Sequence, residues 1–270
     1  MKPVYFRLLR GIRHLFPHRY DVVISLGQHC ATAMYMNRSG LRTFSSPLDW
    51  LEGSRVGLEK CILLIEREFE NFLPKESLIA RASGEVSDGK HRYYDDASMG
   101  FGVFHDFPLM LTMAESYPMV MTKYKRRINR VYDLVPRGGR VLFVYSAVYE
   151  CLRDCEVIDF TERLRRKFGN RAIDLLVLQN NGAIVGLGNA VSPALGTIVV
   201  EGCFHPTPMV SFWGDIKLND AVFGQIPKGF KLQLNYLRKR IFESSIRLIS
   251  VFIVNRARRK AFRKRHLDMI

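Results

Sequence analysis

The chain has 270 residues, of which 47% are hydrophobic and 25% are charged, and this balance excludes an intrinsically disordered protein. The 41 Lys and Arg residues outnumber the 26 Asp and Glu residues, giving a formal net charge of +15. This excess indicates either a polyanion or an anionic membrane surface as a partner, or a solvated basic surface that aids solubility. Because the basic C-terminal run lacks the interleaved aromatic residues that stack on bases, we expect no sequence-specific nucleic-acid binding.

The pattern of charge and hydropathy divides the chain into three parts. We expect a basic amphipathic segment at residues 1–19, an α/β core domain at 20–230 and a basic helical extension at 231–270. The first segment breaks its apolar stretch with Arg7, Arg10 and Arg13, so it lacks the continuous apolar core of a secretory signal. We therefore expect a cytoplasmic protein.

The extension contains a strongly apolar stretch at Ile246–Val254, far shorter than the roughly 20 residues that cross a bilayer. Its apolar residues recur near helical spacing between basic flanks, which fits either core packing or peripheral attachment to the inner face of a membrane. The residues that would form this face are Phe242, Ile246, Ile249 and Ile253.

The chain contains five cysteines, an odd number at irregular spacing, which predicts reduced thiols. Cys151 and Cys155 would share one face of a helix, but no nearby His or Cys pair completes a four-ligand zinc set. We expect neither a metal nor a cofactor.

Hydrophobic periodicity predicts alternating strands and helices. In chain order we expect a strand at 20–26, a helix from the Gly27 turn to Gly40 and a helix at 57–72. A long loop or hairpin follows at 81–102, then an extended segment at 101–107 and a helix at 117–135. The later elements are a strand at 140–146, a helix at 160–168 and strands at 172–179, 182–188 and 196–204. Apolar strands separated by helices predict a doubly wound, mostly parallel sheet with helices on both faces. Such sheets bind ligands beyond the carboxyl ends of their strands, where the Gly27 turn lies.

Cys30 is the best candidate for a reactive group. It stands at the predicted first turn of a helix, where unpaired backbone N–H groups and the helix dipole favour an anion. This position predicts a lowered thiol pKa and a nucleophile at neutral pH, and the same N–H groups could hold an oxyanion. The alternative is a small residue packed beneath the turn.

A cysteine nucleophile also needs a base, and four histidines lie away from the basic termini: His29, His91, His105 and His205. His105 is the strongest candidate, because it lies in an apolar segment beside Asp106, which could fix its tautomer. A satisfied structural histidine is the alternative. His29 adjoins Cys30, but neighbours on a helix do not face each other. Asp215, in the segment Trp213-Gly214-Asp215, offers a further carboxylate.

Three segments resemble a bacterial family of unknown function described as papain-like cysteine peptidases. They read VVISLGQHCATAMYM, GLRTFSSPLDW and FHDF, and the resemblance extends over most of residues 20–215. It implies Cys30 as the nucleophile, His105 as the base and an aspartate as the group that orients the base. The candidates for this aspartate are Asp106, Asp215 and Asp49. We expect the motif residues around the turn to contribute to binding, namely Gly27, Gln28, His29, Arg42, Ser46, Asp49 and Trp50.

A looser resemblance to the GSCFA relatives of the SGNH hydrolases rests on the strand, the LG-x-x-C turn and the later VLFVYSAV strand. In this chain Gln28 stands where those enzymes have a serine nucleophile.

The leading hypothesis is a cysteine-dependent hydrolase that acts on a peptide, acyl or glycan-linked substrate. The alternative is a non-enzymatic accessory protein that binds polyanions, glycans or an anionic membrane through its basic ends. Nucleotide binding at the Gly27 turn comes last, because the turn lacks glycine-rich spacing.

Overall fold

The computed structural model describes residues 14–52, 56–81, 89–170, 172–179, 196–200, 216–253 and 255–267. Its strands are β1 (Val22–Ser25), β2 (Leu51–Glu52), β3 (Leu78–Ala80), β4 (His91–Asp96), β5 (Gly102–Pro108), β6 (Val141–Ala147), β7 (Ile173–Gln179) and β8 (Thr197–Val200). Its helices are α1 (Cys30–Arg38), α2 (Leu58–Glu66), α3 (Met113–Arg137), α4 (Asp154–Phe168), α5 (Ile216–Gln225), α6 (Phe230–Val251) and α7 (Arg256–Leu267). The strands form two separate sheets.

The larger sheet has the strand order β1-β6-β7-β8, and every neighbouring pair is parallel. Its central strands are buried along their full length, as their near-continuous apolar sequences predict. Alternate residues of β6 enter two different apolar clusters: Phe143 and Tyr145 pack with residues of α2, α3 and α4, whereas Leu142 and Val144 pack with residues of α1, α5 and α6. Helices therefore cover both faces of this sheet.

The predicted mixed α/β class with a mostly parallel sheet is confirmed. A doubly wound sheet also requires the strand order to reverse direction, and β1 instead lies at one edge of the four strands that the structure describes. The doubly wound arrangement is therefore not established. The strands β2, β3, β4 and β5 lie outside this sheet and form a separate antiparallel sheet with the order β2-β5-β4-β3, which the sequence did not predict.

The antiparallel pair β4–β5 contains a bulge that matters for the site. Arg92 pairs with Phe107 and Tyr94 with Val103, so three residues of β5 stand opposite the single residue Tyr93. A bulge of this kind sends neighbouring side chains to the same face of a sheet. Phe104 and His105 accordingly line one cavity together.

The C-terminal part of the chain forms the helices α6 and α7. Of the residues predicted to form its apolar face, Ile246 is buried, whereas Phe242 and Ile249 are exposed. No described helix is both long and apolar enough to cross a membrane. The expected strand at 182–188 and the candidates Cys203, His205 and Asp215 lie outside the described residues.

Candidate active site

The turn between β1 and α1 places Cys30 beyond the carboxyl end of a parallel strand. Cys30 is the first residue of α1, as predicted. Gly27 has a φ of +82°, and a Cβ at this position would come within 2.6 Å of the carbonyl oxygen of Leu48. Glycine is required at this position because the turn is left-handed and packs directly on the neighbouring loop.

Gln28 holds this turn against the end of β6. Its Oε1 atom accepts hydrogen bonds from the backbone N–H groups of Val148 and Tyr149, at 2.6 and 3.2 Å, and its Nε2 atom donates to the carbonyl oxygen of Val56 at 3.2 Å. The side-chain amide is therefore already engaged with the backbone. Gln28 therefore holds the turn in place, and its contribution to binding stays a prediction.

The loop that carries the R-T-x-S-x-P-x-D-W motif is organised around a buried ion pair. The guanidinium of Arg42 donates two hydrogen bonds to Asp49 Oδ2, at 2.9 and 2.8 Å, and the same oxygen accepts from the backbone N–H of Ser46 at 2.9 Å. Ser46 Oγ in turn donates to the carbonyl oxygen of Ser25, the last residue of β1, at 2.8 Å. Arg42, Ser46 and Asp49 thus attach the loop to the strand behind the turn.

Trp50 projects from this loop into a cavity of about 300 Å³ that also contains Cys30. The guanidinium of Arg42 lies 5.6 Å from the centre of the Trp50 ring, a cation–π distance. The Trp50 ring meets the His105 ring edge-on, with 6.0 Å between the ring centres. The motif therefore sets the position of an aromatic wall that contacts His105. The cavity is lined by His29, Cys30, Trp50, Leu51, Glu52, Arg81, Tyr93, Phe104 and His105.

His105 and Asp106 point in different directions, although they are adjacent on β5. His105 is exposed to the cavity, whereas Asp106 is buried beneath α3 and bound by Lys123 and Tyr124. The cations Lys123 and Arg127 lower the pKa of Asp106 against the opposing effect of its burial. Asp106 therefore serves as a structural anion, and the expectation that it orients His105 is not supported.

His29 lies beside Cys30 because it is the N-cap of α1 and has extended rather than helical backbone angles. Its Nδ1 atom is 3.7 Å from Cys30 Sγ and accepts the backbone N–H of Ala31 at 3.2 Å. A neutral imidazole has one acceptor nitrogen, and this hydrogen bond assigns that role to Nδ1. Burial, and to a smaller extent the charge of His105, lower the pKa of His29 to about 4. His29 is therefore a neutral cap with no acceptor to spare at pH 7.

The environment of Cys30 opposes the formation of a thiolate. Burial raises the pKa of the Cys30 thiol, the backbone N–H of Cys30 lowers it, and the nearby carboxylate of Glu52 raises it again. The helix N-terminus therefore does not give the lowered pKa that the sequence predicted. Burial and a hydrogen bond to Glu52 raise the pKa of Tyr149 to about 12, so a neutral phenol shares this carboxylate.

A family model described as "Putative papain-like cysteine peptidase (DUF1796)" matches residues 21–178, which include β1, both motif loops, β5 and β6. The chain belongs to this family. It is also similar to the uncharacterized protein R408 of Acanthamoeba polyphaga mimivirus, with 27% identity over 174 residues that cover 60% of this chain and 73% of the viral protein. No solved structure gives a significant match.

In this member of the family, the cavity contains groups that the motifs did not indicate. Glu52 follows Trp50 by two residues, so a search for carboxylates beside the D-W motif would have found it. Tyr149 lies in the segment after β6, which the sequence did place at a carboxyl strand end. The pairing of strands in the antiparallel sheet brings three further residues to the cavity, namely Arg81, Tyr93 and Phe104. Within the described residues, no cluster of His, Cys, Asp and Glu could hold a metal ion.

The depressed pKa of His29 predicts a loss of stability in acid. The folded-state pKa of about 4 lies below the ordinary value of 6.5, so the unfolded chain binds more protons between these pH values. We expect His29 to lower the free energy of unfolding by about 2 kcal/mol as the pH falls from neutral to about 4. Urea unfolding of the wild type and of His29→Asn at several pH values would measure this contribution of His29 to the free energy of unfolding, because asparagine keeps the cap but cannot titrate. Identical pH dependence in the two proteins would contradict the prediction.

Proposed function

We propose that the chain is a cysteine-dependent hydrolase or acyltransferase that acts on an amide or ester carbonyl, with Cys30 as the nucleophile and His105 as the general base. The observation that carries this proposal is that both side chains line one cavity, together with the carboxylate of Glu52. Membership of a family described as papain-like cysteine peptidases supports the same class of reaction.

The electrostatics of the site favour a resting state in which the thiol is neutral. Cys30 has a raised pKa, so its proton must leave as the sulfur attacks. His105 accepts that proton, the thiolate attacks the carbonyl carbon, and the resulting tetrahedral intermediate expels an amine or alcohol that takes the proton back from His105. The acyl group then forms a thioester with Cys30. Water, deprotonated by His105, cleaves the thioester and releases a carboxylic acid.

Glu52 has opposite effects on the proton donor, Cys30, and on the proton acceptor, His105. Its negative charge disfavours the thiolate and raises the pKa of Cys30. The same charge favours an imidazolium formed in the cavity, because opposite charges attract strongly in a partly buried site. We assign Glu52 the role that the sequence offered to an aspartate, with Tyr149 as its hydrogen-bond donor.

Two reagents test the state and the role of Cys30 in the intact protein. Iodoacetamide reacts with thiolates and needs no base, so Cys30, whose pKa is raised, should alkylate more slowly at pH 7 than the exposed Cys155 and should react faster as the pH rises. Glu52→Gln should accelerate the alkylation of Cys30 at pH 7, because it removes a nearby negative charge. Mass spectrometry of tryptic peptides would measure both sites in one sample.

An activated ester should give the opposite order of reactivity. We expect p-nitrophenyl acetate at pH 7 to acetylate Cys30 faster than Cys155, and His105→Ala to abolish this preference, because acylation at the site uses the base. The proposal fails if Cys30 acetylates no faster than Cys155 in the wild type. Cys155→Ser serves as the control for non-specific labelling.

A further inference from the structure

An apolar stripe runs along the exposed side of α6. Its members are spaced four or seven residues apart, that is, one or two helical turns, which places them on one face of the helix. Leu237, Ile241 and Leu248 are 55%, 57% and 65% exposed, and Phe230 and Phe252 at the two ends are 77% and 81% exposed. On the opposite face of the helix, Leu232, Ile246 and Ser250 are buried, and Leu232 packs with the apolar core. The stripe therefore points away from the core.

The charge around this stripe is almost entirely positive. Arg238, Arg240 and Arg247 flank it on α6. The following helix, α7, has seven Arg and Lys residues and no Asp or Glu in the sequence RARRKAFRKRHL. An apolar stripe bordered by cations is the pattern of a helix that lies in the interface of an anionic membrane.

A cationic cleft of about 470 Å³ adjoins the stripe, between α3, the loop at residues 43–44 and α6. Arg130, Arg238 and Lys239 line it, and no carboxylate does. Burial lowers the pKa of Arg130 and of Lys239, and neighbouring arginines lower both further, although Glu243 and Asp49 raise the pKa of Lys239 in part. Cations crowded in this way would gain a favourable partner in the phosphate of a lipid headgroup.

A second copy of the chain fits this surface less well. In a helix pair formed through the stripe, Arg238, Arg240 and Arg247 would occupy the flanking positions that set partner choice. Two copies would then add the cations of both helices along the seam, where no flanking position holds a carboxylate to offset them. Charge complementarity favours an anionic partner instead.

We propose that α6 and α7 form a membrane-docking surface that binds an anionic phospholipid bilayer, with the stripe immersed among the acyl chains and the flanking cations at the headgroups. The stripe provides apolar burial, and the basic residues provide attraction to negative lipids. Both contributions are needed, because a short apolar stripe or a basic patch alone gives weak attachment.

Vesicle flotation with the purified full-length chain tests this surface. We expect the wild type to float with vesicles of phosphatidylcholine that contain about 30% phosphatidylglycerol, and not with vesicles of phosphatidylcholine alone. The triple variant Leu237→Ser, Ile241→Ser and Leu248→Ser should lower the partition coefficient about tenfold or more. Arg238→Gln with Arg247→Gln should lower it less and reduce its dependence on salt.

A matched control replaces three exposed apolar residues elsewhere, Ile79, Met110 and Met119, with serine, and it should bind like the wild type. Circular dichroism of each variant would verify that α6 remains folded. Three results would overturn the proposal: failure of the wild type to float with anionic vesicles, unchanged flotation of the stripe variant, or a wild-type dimer that the stripe variant dissociates in the absence of lipid. The last result would assign the stripe to contact between two copies.

Discussion

Cys30→Ala is expected to abolish turnover of any amide or ester that the chain hydrolyses, with a fall in kcat/KM of about 10³-fold or more, because no other described group in the cavity is a comparable nucleophile. His105→Ala is expected to lower kcat by about 10² to 10⁴-fold. His29→Asn keeps the helix cap and should cause a smaller loss. The assay is a screen of nitrophenyl esters and peptide amides, with each variant measured on the best substrate.

The comparison between the two histidines decides which of them is the base. If His29→Asn reduced kcat as much as His105→Ala, the hydrogen bond from Ala31 to His29 Nδ1 would have to break during the reaction, and His29 would replace His105 in the mechanism. Cys155→Ser is the matched control for the cysteine substitution, because Cys155 is exposed. A loss of activity in that variant would argue against the assignment of Cys30.

Asp49→Ala is expected to lower the free energy of unfolding by about 3 kcal/mol or more, because it leaves the buried guanidinium of Arg42 without its carboxylate. Asp49 is 1% exposed and also accepts the backbone N–H of Ser46. Burial raises the pKa of Asp49, so this carboxylate depends on Arg42 to stay charged. Chemical denaturation at pH 7 would measure the change.

Asp220→Ala provides the matched control for this prediction. Asp220 pairs with Arg38 at 2.8 Å, the same distance as the shorter Arg42–Asp49 contact, but both side chains are largely exposed. Exposed pairs contribute about 0 to 1 kcal/mol, so we expect little change. Equal losses in the two variants would show that burial does not determine the strength of the Arg42–Asp49 pair. Asp49→Ala should also lower activity, since it releases the loop that positions Trp50 against His105.

The local features of the site could be predicted from sequence because they depend on short stretches of chain. The run YDVVISL followed by Gly27 and an amphipathic segment gave the strand, the turn and the helix that begins at Cys30, and the structure has all three. The buried strands β6 and β7 could also be predicted from the sequence, because continuous apolar runs occur where both faces of a sheet are covered.

The remaining features depend on tertiary contacts. Asp106 was expected beside His105, but side chains that follow one another along a strand generally leave on opposite faces. The bulge in β5 determines which residues enter the cavity, and its position follows from pairing with β4. The pKa of Cys30 also depends on how deeply the thiol is buried. Once loops and strands cover the thiol, burial raises its pKa by more than the N–H group at the helix N-terminus lowers it.

The proposed nucleophile and base are carried by different sheets, Cys30 by the parallel sheet and His105 by the antiparallel one. Neither sheet contains a complete reaction centre, so chemistry requires the two layers to be docked on each other. A small slide of one layer would separate sulfur from imidazole while leaving every strand paired. In the proposed mechanism, catalysis would therefore depend on the contact between the two sheets and not only on the folding of each sheet.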